Sequence, residues 1–145
     1  MPYFIGDMLE IPLTTVQDYM LFYMLGDYSI GLWKRQLEAI MEHNGLASFL
    51  VHPDYIIEDR ARGVYTDLLG HLASIRSSRN VWIVPPREVN RWWRNRRQMT
   101  LTQEHGDWKI EGPGAEKACL AYAVRDGNRL VYELASESDK QLVKH

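Results

Sequence analysis

The chain carries a single cysteine, Cys119, among its 145 residues. One thiol forms no internal disulfide, and it excludes a zinc site built on several thiolates. An excess of basic charge is also missing: 17 Lys and Arg stand against 19 Asp and Glu, a formal net charge of −2. That balance argues against a protein whose whole surface attracts nucleic acid or anionic membrane. No apolar run approaches the roughly 20 residues of a membrane helix. The N-terminal MPYFIGDMLEIP lacks the basic stretch and clean apolar core of a secretory signal. There is no Gly-rich phosphate loop, no G-x-S-x-G elbow, no internal repeat and no pair of histidines at metal-ligand spacing on one helix face. The composition describes a soluble chain without a complete local motif.

What is present is globular. Hydrophobic residues make up 46% and charged residues 25% of the chain, and a length of this order buries roughly 70% of the unfolded surface. Residues 4–13 (FIGDMLEIPL) read as extended up to Pro12, which cannot donate to a ladder. Thr14 or Thr15 is placed to cap a short helical stretch through Leu25, although the aromatic-rich YMLFYML also fits a buried irregular segment. Ile30, Trp33, Leu37, Ile40 and Met41 recur at helical spacing, and Gly45 sits where that helix should stop. A second stripe runs through Ile57, Ala61, Val64, Leu68, Leu72 and Ile75. Pro85 and Pro86 open a third helix, Arg87 to about Met99.

Between these helices lie two nearly continuous apolar runs, Leu46–Val51 and Val81–Val84. Such runs read as strands buried on both faces, and their alternation with helices predicts parallel β-α units. After Met99 the pattern changes to alternating segments punctuated by HGD, GPG and DGN. It predicts antiparallel strands near 99–104, 108–111, 117–125 and 129–134, with Asp126-Gly127-Asn128 as the strongest hairpin signal. The expected fold is therefore α/β: a partial (β/α) barrel-like parallel sheet with helices over 1–98, and a small antiparallel β appendage over 99–135. A flexible polar tail over 136–145 completes the chain.

In parallel β/α folds, functional groups gather beyond the carboxyl ends of the strands. His52 ends the run SFLVHPDY, where it reads either as a general acid or base or as a strand terminus bonded to nearby backbone. Asp54 is placed either to orient that imidazole or to cap the following helix. His43, His71, His105 and His145 complete the histidines without forming a metal set. In RWWRNRR (91–97), Val89, Trp92, Trp93 and Met99 share one helical side, and Arg91, Arg94 and Arg97 spread over the other. Arg96 falls within the aromatic stripe, where it stacks on a tryptophan or meets an acidic partner. This helix reads as core tryptophans with solvated arginines, or as an aromatic-cationic surface for glycans or nucleic acid.

LEIPLTTVQDY (9–19), ASFLVHPDYI (47–56) and VWIVPPREVNRWWRNRR (81–97) resemble the C-terminal half of bacterial polysaccharide-deacetylase-like proteins, the NodB-homology group. The resemblance implies a distorted (β/α) barrel that removes acetyl groups from N-acetylated sugars with a divalent metal such as zinc. It places His52 at the position of the catalytic acid and Leu50 in the wall around the acetyl methyl; Asp54 and Trp82 complete the expected substrate-binding residues. The family's Asp-Asp and His-x-x-x-His motifs are not in this sequence, so the chain by itself is expected to hold no metal and to be inactive alone. Three barrel strands leave open parallel edges. The expected partner is therefore a missing N-terminal half-barrel or a second copy of the chain, with carbohydrate as ligand and bacterial cytoplasm as location. The alternative is a non-catalytic glycan-binding or protein-interaction module.

Overall fold

The computed structural model describes residues 1–105 and 107–135. The chain divides into two compact units, Met1–Pro86 and a second that begins at Arg87. The tail expected over 136–145, with His145, lies outside the described residues.

In the first unit, β1 (Tyr3–Ile5) and β2 (Met8–Glu10) form an antiparallel hairpin with Tyr3 opposite Glu10 and Ile5 opposite Met8. Gly6, at φ 60°, turns the chain back where the sequence reads as a single extended segment. A π-helical turn follows at Met20–Met24, closed by the Leu25 N–H bonding the Met20 carbonyl at 2.9 Å. It buries Leu21 and Phe22 and leaves Met20, Tyr23 and Met24 exposed.

Helix α1 (Gly31–Glu42) buries Trp33 and Leu37, two members of the stripe expected from its spacing. Its C-terminus is a Schellman turn, with Asn44 N–H bonding Met41 and Gly45 N–H bonding Ile40. The left-handed residue is Asn44, at φ 50°, and not the glycine that follows it. Helix α2 (Asp59–Ser78) turns Ala61, Val64, Leu68 and Ile75 inward, again as the periodicity predicts. Leu21, Phe22, Trp33, Ala61, Val64 and Leu68 make one core cluster. Within it the Phe22 ring meets Tyr28 stacked at 5.1 Å and Trp33 edge-on at 6.4 Å. Each fully buried side chain of this size contributes roughly 1.5–3 kcal/mol.

The parallel sheet expected from the sequence is absent, and no barrel-like arrangement forms. Among the described residues, every sheet is a separate antiparallel pair. The physical reason lies in residues 46–52. They join no strand, and side chains from 14–18 bond their backbone where a ladder would. Thr14 Oγ1 donates to the Leu46 carbonyl at 2.8 Å and accepts from the Ser48 N–H at 2.8 Å. Thr15 Oγ1 donates to the Ser48 carbonyl at 2.8 Å. Neither threonine caps a helix. Helix α1 in turn satisfies the backbone of Val16: Trp33 Nε1 donates to its carbonyl at 2.7 Å, and Gln36 Oε1 accepts from its N–H at 3.1 Å. Backbone groups buried here need partners of some kind, and side chains supply them. Val81–Val84 likewise joins no ladder. The open parallel edges that motivated a covering partner are therefore not a feature of the described residues.

In the second unit, α3 (Pro86–Arg97) turns Val89 inward and half-buries Trp92 and Trp93. Arg96 lies over the Trp93 ring with Cζ 4.7 Å from its centroid, the first of its two expected roles. β3 (Thr100–Glu104) pairs with β4 (Asp107–Glu111), and β5 (Ala121–Asp126) pairs with β6 (Arg129–Leu134). The second hairpin turns at Gly127-Asn128, where the sequence puts it. The β appendage thus consists of two separate hairpins.

Candidate functional site

Asp18 is completely buried, and the apolar side chains around its segment supply no charge to match it. A carboxylate in that position needs donors for both oxygens. Oδ1 accepts from the Tyr19 N–H at 2.8 Å and lies 2.7 Å from His52 Nδ1. Oδ2 accepts from the His52 N–H at 2.5 Å. One buried acid therefore holds both the backbone and the ring of His52, 34 residues along the chain.

His52 reaches it because of the residue that follows. Pro53 excludes helical backbone at His52, which sits at φ −94°, ψ 129° and caps the 3-10 turn Pro53–Ile56. With the Asp18 carboxylate as acceptor, the 2.7 Å contact is made by the tautomer that carries its hydrogen on Nδ1. The imidazole side chain is 38% exposed, so part of an otherwise anchored ring reaches solvent. A histidine with one nitrogen held by a buried carboxylate and its ring partly exposed is arranged to take or give a proton at a fixed place.

One tyrosine adjoins it, and two more adjoin that one. The Tyr55 ring lies 4.9 Å from the imidazole. Tyr19 and Tyr23 stack at 5.6 Å, and Tyr55 meets them at 5.8 and 5.3 Å respectively. Desolvation first, then the charge of Glu58 and the neighbouring phenols, with Asp54 adding least, hold the Tyr23 phenol above the ordinary tyrosine range. It stays a neutral hydroxyl donor.

The other sequence-derived site residues are placed less centrally. Asp54 is exposed in the first turn of the 3-10 segment, and the orienting role considered for it belongs to Asp18. Leu50 is 42% and Trp82 59% exposed; neither is brought into the described contacts of His52. Asp18 itself is the residue the sequence reading missed. It lies within LEIPLTTVQDY, and its signal was a lone carboxylate between apolar stretches, which marks an acid that has to be paired if buried.

The divalent metal implied by the family resemblance does not fit these residues. No three His, Cys, Asp or Glu side chains converge among the described residues. Both Asp18 oxygens and His52 Nδ1 are engaged in hydrogen bonds, which leaves a single nitrogen. His43 caps α1 and His71 lies half-buried on α2. No helix is long and apolar enough to cross a membrane among the described residues. Comparison of the chain with family models, curated proteins and solved structures gives no match.

Proposed function

We propose that Asp18 and His52 are the proton-transfer pair of a hydrolytic site for N-acetylated carbohydrate, and that the chain contributes this part of the site without the metal ligands. The observation that carries the reading is the Asp18–His52 Nδ1 contact at 2.7 Å with Asp18 fully buried. Loss of an amide's acetyl group requires a proton on the departing nitrogen, and a positioned imidazole supplies it in its protonated form. Asp18 fixes the tautomer and the ring plane, so Nε2 is presented in one orientation. The family resemblance supports the choice of bond and substrate class; the geometry supports the role of the pair.

The test is release of acetate from N-acetylglucosamine oligomers, measured with the chain alone and with the chain joined to the metal-binding N-terminal half of a polysaccharide deacetylase. Activity is expected only in the joined form, and His52→Gln should lower its turnover by roughly 10²–10⁴-fold. Unchanged turnover in that variant, or no acetate release in either form, would overturn the proposal.

A further inference from the structure

We propose that Tyr19, Tyr23 and Tyr55 form a stacking platform that receives a sugar ring of the substrate beside His52. This rests on the reading of the pair above and names how its ligand is held. The three rings lie within 5.3–5.8 Å of one another by centroid, and Tyr55 carries the cluster to within 4.9 Å of the imidazole. Packing of the core does not need them. Phe22, Tyr28 and Trp33 fill that role, whereas Tyr19 is 47% and Tyr23 58% exposed.

The π-helical turn produces this division. Leu21 and Phe22 go into the core, and Tyr19 and Tyr23, four residues apart, face outward together. π turns are uncommon and concentrate at functional positions. A cluster of large exposed rings is costly unless something covers it, and a polyhydroxylated ring is suited to this one. Its C–H face packs on aromatic surface, and its hydroxyls match the phenol hydroxyls that phenylalanine would lack. The carboxylates Glu58 and Asp54 act on Tyr23, and Arg60 lies over the ring of Tyr28, which also acts on it, with Cζ 3.9 Å from the centroid. Charges of both signs flank the cluster, which favours an uncharged polyhydroxylated ligand over an ion of either sign.

The experiment is a titration of the whole chain with N-acetylchitotetraose, followed by NMR of the tyrosine and histidine ring signals. The platform predicts saturable shifts in Tyr19, Tyr23, Tyr55 and His52 at concentrations up to about 10 mM. Tyr23→Leu and Tyr55→Leu, which keep apolar bulk but remove the ring, should each weaken binding by about tenfold. Tyr23→Phe, which keeps the ring, should cost less than about threefold by the loss of one exposed hydrogen bond. The His52 Nδ1–H resonance, displaced far downfield by its carboxylate partner, should persist in Tyr23→Leu, which shows that the pair is intact. No saturable shift, or wild-type affinity in both Leu variants, overturns the platform while leaving that resonance and the acetate assay untouched. Self-association that disappears in Tyr23→Leu overturns it too, because a second copy would then be the occupant. Binding that persists while His52→Gln leaves turnover unchanged supports the platform and removes the catalytic reading alone.

Discussion

Asp18 Oδ1 and His52 Nδ1 stand 2.7 Å apart, with the carboxylate wholly buried and the imidazole partly exposed. The same carboxylate accepts two backbone N–H groups, so it ties the 14–18 segment to the 46–52 segment as well as aiming the ring. Site and scaffold therefore share one residue.

Asp18→Ala should destabilise the first unit by about 3 kcal/mol, because two buried N–H donors and one ring nitrogen lose their acceptor together. Asp18→Asn should cost less, since one amide oxygen can still accept, but its NH₂ group faces a donor it cannot satisfy. Urea unfolding read by tryptophan fluorescence measures both. A loss below about 1 kcal/mol for Asp18→Ala would mean that water replaces the carboxylate without penalty.

Trp33→Phe tests how the helix holds the segment that carries Asp18. The Val16 carbonyl loses the Nε1–H donor at 2.7 Å, and the smaller ring leaves space where a fully buried indole stood. An unpaired buried carbonyl costs roughly 1–3 kcal/mol, and that loss should appear as a lower denaturation midpoint at an unchanged slope. It should also broaden the downfield His52 resonance, because Val16 lies two residues before Asp18.

These two residues mark where the sequence was legible and where it was not. Trp33, Leu37, Val64 and Leu68 announce their helices through a 3.6-residue period that depends only on near neighbours. Asp126-Gly127-Asn128 announces a hairpin for the same local reason. SFLV and VWIV carry no period, and a continuous apolar run looks alike whether its backbone pairs with strands or with side chains. The bonds that decide the matter, from Thr14, Thr15 and Asp18, come from 32–34 residues away. His52 could be singled out from its place before Pro53. Its partner could not, because nothing local relates Asp18 to it, and Asp54 offered a nearer carboxylate.

Asn44 is a position where the sequence can be improved. At φ 50° it pays the steric cost of a β-carbon in the left-handed region, while Gly45 behind it is free of that demand. Asn44→Gly should raise stability by about 0.5 kcal/mol, and Asn44→Ala should lower it by a similar amount. Gly45→Ala is expected to be unfavourable for a different reason. Its new methyl group would stand 3.0 Å from Ile40 Cγ2 and 3.2 Å from the Ile40 carbonyl oxygen. Thermal unfolding of the three variants separates backbone strain from crowding.

Helix α3 offers the pH test. Glu88 bonds Arg91 one turn later, and that hydrogen bond, reinforced by the charges of Arg91 and Arg87, holds the Glu88 carboxyl below the ordinary glutamate range. The same bond holds the Arg91 guanidinium above its usual value. A group whose folded value is depressed stabilises the folded state fully above the unfolded value, and the contribution disappears as pH falls through the folded one. Helicity of α3 should therefore be constant from neutral pH down to the ordinary glutamate range and decline below it. Glu88→Gln should abolish that acid-dependent step while leaving the neutral-pH spectrum nearly unchanged, since the pair is exposed enough for solvent to screen it. Far-UV circular dichroism across the acid range, in low and high salt, checks both points; salt should flatten the wild-type step toward the variant. A step of equal size in Glu88→Gln would assign the acid sensitivity to another carboxylate.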